Sequence, residues 1–257
     1  MAADAAFIEV QGLSMRFGGL LAVDGIEFGV REREIFAIIG PNGAGKTTVF
    51  NCISGFYKPT TGRIRLQGRD IGGLGSHTVA RHGVVRTFQN VRLFKTMTAL
   101  ENLLVAQHRH LKTSLPAGLL KTRAYRDSEK KALERALHWL DYMELREFAN
   151  RPAGTLAYGH QRRLEIARCM VTEPRVLMLD EPAAGLNPQE KKDLQGLIQQ
   201  LRAQHELAVL LIEHDMSLVM GVSERILVME HGRRIALDEP QAIRNDQRVI
   251  KAYLGEE

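Results

Sequence analysis

Residues 40–48 read Gly40-Pro41-Asn42-Gly43-Ala44-Gly45-Lys46-Thr47-Thr48. The stretch fits the pattern G-x-x-x-x-G-K-[ST], and its flanks decide what that means. Before it runs Ile35-Phe36-Ala37-Ile38-Ile39, continuously apolar, which suits a central strand buried on both faces of a parallel sheet. After it, residues 47–53 read as a helix that stops near Gly55. Glycines between a strand and a helix let the backbone curl so that several N–H groups converge on one phosphate chain, and the helix N-terminus adds partial positive charge. Lys46 then reaches the outer phosphates and the Thr47 hydroxyl can ligand Mg²⁺.

Working outward, a second apolar strand over 176–179 ends in Asp180 and Glu181. A carboxylate at that sheet edge is placed to meet Mg²⁺, directly or through an intervening ligand. Adjacent strand residues point to opposite sides, so Glu181 faces the attacking water, as general base or water-orienting group. Asn187, Pro188 and Glu190 read as the cap, first position and capping-box partner of a helix whose core face is Leu194, Leu197, Ile198 and Leu201. A third apolar strand over 207–212 leads to Glu213, His214 and Asp215, then a short helix and a hairpin over 226–236 turning at His231 and Gly232. Residues 7–10 and the alternating Ile26, Phe28 and Val30 read as half-buried strands. A helix starts near Leu100, and another over 129–148 presents Leu133, Leu137, Leu140 and Met143 on one face. The basic stretch 112–121 between them is a loop or an extra short helix. Strands alternating with helices imply an α/β fold with a mainly parallel core.

At 257 residues and 44% hydrophobic, the chain can bury a full core, which excludes disorder and fibrous classes. No stretch approaches the roughly 18 consecutive apolar residues of a membrane-spanning helix, and no basic segment followed by a long apolar run opens the chain, so a cytoplasmic location is expected. Cys52 and Cys169 lack metal-ligand spacing and read as reduced packing residues. The net charge of +5 is modest, with local density at Arg81, His82, Arg86, Arg92 and Lys95 and across 108–131. A solvated surface, contact with a membrane-embedded partner, and nucleic acid all remain readings of that charge.

Leu156-Ala157-Tyr158-Gly159-His160-Gln161, directly before Arg162-Arg163-Leu164-Glu165-Ile166-Ala167-Arg168, resembles the signature motif and helix of ABC ATPases. With Gln89 in Arg86-Thr87-Phe88-Gln89, the Ala184-Gly185-Leu186-Asn187 segment and His214, the resemblance covers nearly the whole chain. It implies a P-loop NTPase: one domain over 1–257, with a mainly parallel core and an N-terminal antiparallel β subdomain in 1–94 and 165–257, and a helical subdomain over 95–164. It further implies that Phe17 stacks on adenine, that Gln89 touches Mg²⁺ or water and senses the transporter, and that His214 contacts the γ-phosphate. In such a family two cassettes pair head to tail, so that residues 157–160 of one close over ATP held at 40–48 of the other. A helix N-terminus near His160 agrees, since it offers N–H groups and a favourable dipole to an anion. Two departures stand out. Ala157 replaces the usual serine and His160 the usual glutamine, which removes a side-chain hydrogen bond to charge of about 1.5–3 kcal/mol. Asn187 stands where aspartate is frequent.

Residues 86–94, Met97-Thr98-Ala99-Leu100-Glu101-Asn102, the segment 181–188 and the ending 249–255 are together similar to one branch, the LivG-type ATPases of bacterial branched-chain amino acid importers. That resemblance implies peripheral attachment at the cytoplasmic face of the inner membrane. The implied partners are a second, different ATPase subunit, transmembrane permease subunits and, indirectly, a periplasmic binding protein; an isolated chain could pair with itself. Amide or urea-like solutes are the alternative cargo. A nucleic-acid-associated ABC ATPase is a poorer match, because such relatives carry two cassettes or a long coiled-coil insert.

Overall fold

The computed structural model describes residues 6–107 and 122–254, so the stretch 112–121 and the basic segment 108–131 up to residue 121 lie outside the described residues. Along the chain come β1 (Ile8–Phe17), β2 (Leu20–Val30), β3 (Ile35–Ile39), α1 (Lys46–Ile53), β4 (Thr61–Leu66), β5 (Arg69–Asp70), α2 (Ser76–Arg81) and β6 (Val84–Arg86). Three helices follow: α3 (Ala99–Ala106), α4 (Arg123–Tyr142) and α5 (Tyr158–Met170). The last part holds β7 (Val176–Asp180), α6 (Pro188–His205), β8 (Ala208–Ile212), α7 (Met216–Val222), β9 (Arg225–Glu230), β10 (Arg233–Asp238), α8 (Pro240–Asn245) and α9 (Gln247–Leu254).

The chain separates into two compact units, one of Met1–Arg86 with Arg175–Glu257 and one of Thr87–Pro174. The separations at 86/87 and 174/175 differ from the expected 94/95 and 164/165. Side chains explain the difference. Glu165, in the middle of α5, accepts the backbone N–H groups of Phe88 (3.3 Å) and Arg92 (3.2 Å), so residues 88–92 and the whole of α5 belong to one body.

In the first unit a six-stranded sheet has the order β10-β9-β3-β8-β7-β6. All its pairings are parallel except β10 with β9, which form the expected hairpin with left-handed His231 and Gly232 at its turn. Strands β3, β7 and β8 are buried at every residue, as their unbroken apolar runs require of strands covered on both faces. A four-stranded antiparallel sheet, β2-β1-β4-β5, shares a hydrophobic cluster with them that includes Val10, Leu13, Phe36, Val49 and Phe50. Fully buried side chains of this size each contribute about 1.5–3 kcal/mol.

The second unit corrects one reading. The helix expected over 129–148 is α4, which begins six residues earlier, capped by Thr122, and ends at Tyr142. Its buried face is Ala132, Ala136, Trp139 and Leu140, while Leu133 is 40% exposed. Two alanines, which bury little area, mark that face, so reading the leucines alone rotated it. Glu144 at φ 58° ends the helix in a left-handed turn, and Arg146–Phe148 is a separate 3-10 turn.

Candidate nucleotide site

In the first unit β3 stops at Ile39 and the chain enters the loop through Gly40 at φ 145°, where a Cβ would lie 2.0 Å from the Met229 carbonyl oxygen. Gly45, at φ 95°, starts α1, and no side chain caps that helix. The first N–H groups of α1 therefore have no intrahelical acceptor and face the loop. Lys46 is folded back, donating to the carbonyls of Gly40 (2.7 Å) and Pro41 (2.9 Å). Burial holds its pKa below the ordinary lysine value, while Glu181 and Asp180 pull it upward. The ammonium and both carboxylates thus act on one another at the loop. Ala44 is buried, Asn42, Gly43 and Thr47 are exposed, and Pro41 and Thr48 are half-buried. Phe17, at the end of β1, is 40% exposed and meets Tyr57 edge-on at 5.3 Å.

β7 ends at Asp180, and Glu181 is not its next pleat. Glu181 has φ 48°, a left-handed conformation, so strand alternation does not set its direction. The turn points its carboxylate at His214, with Oε1 2.9 Å from Nε2. Beneath this pair lies buried Glu213, which sequence reasoning left without a role. Its Oε1 accepts the Ala183 N–H (2.7 Å), and its Oε2 accepts those of His214 (2.9 Å) and Asp215 (3.2 Å). One carboxylate therefore ties the turn carrying Glu181 to the turn carrying His214. Asp215 caps α7 through the Leu218 N–H and pairs with Lys191 at 2.7 Å. Those contacts, led by Lys191, hold Asp215 below the ordinary aspartate range.

Arg86 was also left without a role, having read as part of a basic cluster and as the start of the Arg86-Thr87-Phe88-Gln89 stretch. Its Nη2 is 2.5 Å from Asp180 Oδ2, with each side chain 5% exposed, and its Nη1 donates to Asn51 Oδ1 at 2.6 Å. A signal was present: Val84-Val85-Arg86 is a short apolar strand ending in a cation, and β7 is a buried strand ending in an anion. Such ends meet when the strands are parallel neighbours, as β6 and β7 are.

In the second unit α5 begins at Tyr158 with Ala157 as its N-cap, and no side chain caps it. Ala157 and Tyr158 are exposed, and Gly159 and His160 half-buried. The His160 ring packs on Phe148 at 4.7 Å between centroids. Gln89 is exposed, and its backbone is gripped from α5: Arg162 donates to the carbonyls of Phe88 (2.8 Å) and Gln89 while pairing with buried Glu165 at 3.1 Å. Phe17, the loop 40–48, Asp180, Glu181 and His214 belong to the first unit, and Gln89 with 157–160 to the second.

A phosphate loop on a parallel sheet, followed by a strand ending in one acid with a second in the turn beyond it and a histidine after the next strand, defines a P-loop ATPase. The model of the ABC transporter family matches residues 23–184, and that of the branched-chain amino acid ATP-binding cassette transporter matches residues 233–257. The chain belongs to the ABC transporter ATP-binding family, in its branch of LivG-type branched-chain amino acid ATP-binding proteins. It is 65% identical to the high-affinity branched-chain amino acid transport ATP-binding protein BraF of Pseudomonas aeruginosa, over 97% of this chain and 98% of that protein. It is 60% identical to the corresponding LivG of Escherichia coli K12, with the same coverage. A crystal structure of an ABC transporter's ATP-binding cassette in its ADP conformation superposes with a TM-score of 0.85 at 31% identity, over 98% of this chain and 99% of that one. The expected fold class and family are thereby borne out, and the chain is an ATP-binding ATPase of the ABC type.

Proposed function

We propose that this ATPase hydrolyses MgATP at the loop 40–48 to drive uptake of branched-chain or closely related hydrophobic amino acids. The carrying observation is the Glu181–His214 contact of 2.9 Å beside a cradle whose lysine feels both Asp180 and Glu181. Lys46 exchanges the carbonyls of Gly40 and Pro41 for the outer phosphates, and the backbone from Gly40 to Thr48 and the start of α1 wrap them. Phe17 offers its exposed ring to adenine. Glu181 takes or orients the proton of the attacking water, and His214 holds Glu181 in place and reaches the γ-phosphate. The Thr47 hydroxyl and the Asp180 carboxylate are hard oxygen donors, which fits Mg²⁺, with Gln89 as a further ligand by family resemblance. Held by these residues, Mg²⁺ would supply charge neutralisation at the phosphates.

A second ATPase subunit completes the site with its own counterparts of Ala157, Tyr158, Gly159 and His160. Since Ala157 has no hydroxyl, backbone N–H groups and the helix dipole carry that contact in this chain. The remaining partners in this reading are transmembrane permease subunits and, through them, a periplasmic binding protein. No nucleic acid takes part. Among the described residues no helix is long and apolar enough to cross a membrane, which accords with peripheral attachment at the cytoplasmic face of a bacterial inner membrane.

The test is Mg²⁺-dependent ATP hydrolysis by the purified chain beside Glu181→Gln, with gel filtration of both in saturating ATP. Turnover in the parent, with loss of turnover and ATP-dependent pairing in the variant, is the expected result. An active Glu181→Gln removes Glu181 from the chemical step. For the cargo, cells lacking the chain should lose uptake of radiolabelled leucine and regain it with the gene; restored uptake of acetamide or urea alone overturns the amino-acid assignment.

A further inference from the structure

A buried arginine on a proposed metal-site carboxylate needs an explanation. Asp180 is 4% exposed, and a carboxylate buried to that degree is costly unless it is paired and hydrogen-bonded. Arg86 Nη2, at 2.5 Å from Oδ2, supplies the compensating charge from the end of the neighbouring strand β6. The same guanidinium reaches α1, where its Nη1 donates to Asn51 Oδ1 at 2.6 Å and to Ser54 Oγ at 3.3 Å, and it lies over the Phe50 ring at 5.5 Å. Asn51 stands one turn beyond Thr47, and Ser54 the next turn on, so the three share a helix face. That end of α1 carries the negative end of the helix dipole, which favours a cation. One planar fork therefore joins the strand end bearing Asp180 to the helix bearing Thr47, with both donors fixed by bonds a lysine cannot make together.

We propose that Arg86 is a positioning residue of the Mg²⁺ site: it holds Asp180 in its aim and sets the spacing between Asp180 and the Thr47 helix, before nucleotide arrives. The proposal rests on the reading of Asp180 and Thr47 as the metal residues. Arg86 itself touches neither nucleotide nor water in the chemical step.

The experiment is binding of a fluorescent ATP analogue to the full chain, titrated with Mg²⁺ and repeated in EDTA, for the parent, Arg86→Gln, Arg86→Lys and Asp180→Asn. Loss of a side chain that supports a metal ligand costs about 10–100-fold in metal affinity, so the half-saturating Mg²⁺ of Arg86→Gln should rise about tenfold or more. Its affinity for the analogue in EDTA should stay within about threefold of the parent, because the phosphate cradle is intact. Arg86→Lys keeps the charge and loses the fork, so its Mg²⁺ requirement should fall between those two. An unchanged Mg²⁺ requirement in Arg86→Gln overturns the proposal, as does an equal loss of binding with and without Mg²⁺, which marks general damage. Should Arg86→Gln not fold, an Arg86→Lys protein with the parent's Mg²⁺ requirement overturns it alone. Asp180→Asn separates the two layers: if it too keeps the parent's requirement, the reading of the metal site fails, whereas a shift there without one in the Arg86 variants sinks only the role of Arg86.

Discussion

Two kinds of helix start exist in this molecule. At α3 and α6 the N-terminus is closed from within by complete capping boxes, Thr98 with Glu101 and Asn187 with Glu190, and Thr122 closes α4. Asp246 accepts the Arg248 N–H at 2.8 Å at the start of α9. At α1 and α5, the other described helices of eight residues or more, the caps are Gly45 and Ala157, and neither offers a side-chain acceptor. The closed starts serve stability. The open ones are those at 40–48 and 157–160, assigned above to phosphate, where N–H groups with no intrahelical acceptor and no side-chain cap can turn to an anion.

The contrast can be broken in graded steps. The largest effect belongs to Lys46→Ala, which removes the cation at the open start of α1; kcat/KM for ATP should fall about 100-fold or more, the scale of losing one stabiliser of developing charge. Next, Ala157→Asp should close α5 as a built-in anion. The cap should raise stability by about 1 kcal/mol, read in thermal unfolding, while ATP-dependent pairing falls because a carboxylate now occupies the place offered to phosphate. A variant both more stable and equally active would show that the open start has no anion to serve. Thr98→Ala, at a closed start, should do the reverse, losing about 1 kcal/mol of stability with ATP affinity unchanged. That penalty has a pH signature. Backbone and side-chain bonds from Thr98 hold the Glu101 pKa below its ordinary value, so the stability they supply is present at neutral pH and lost as the pH falls through the lowered pKa. The gap between parent and Thr98→Ala should therefore narrow below the ordinary glutamate range by the share of the hydroxyl bond alone, because the backbone N–H at 98 survives the substitution. The smallest expected effect is none: burial pushes the Cys52 and Cys169 thiols up to about 11 and about 12, so neither should react with a thiol reagent at pH 8 until the protein unfolds.

Legibility in the sequence followed distance along the chain. The phosphate loop, the buried strands and the Asn187 cap were readable because each is settled by neighbours a few residues away. The partnership of Arg86 with Asp180 spans 94 residues and that of Glu213 with Ala183 spans 30, so no local pattern announces either. The same holds for the grip of Arg162 and Glu165 on 88–92, which moved the unit boundaries. The face of α4 was misread for another reason, since alanines carry the contact there and leucine spacing does not report it. Alternation also failed at Glu181, one residue past the strand, because backbone handedness rather than pleat aims its carboxylate.

That handedness also decides how the protein fails. A non-glycine residue in the left-handed region carries about 1–2 kcal/mol of strain, so the position of the proposed catalytic carboxylate is one that the backbone would rather give to glycine. Glu181→Gly would relax the fold as it disables the site. Cellular quality control senses stability rather than turnover, and a relaxed, inert copy would escape it. Such a copy would persist at normal abundance, so loss of turnover at this position would leave no mark on the amount of protein.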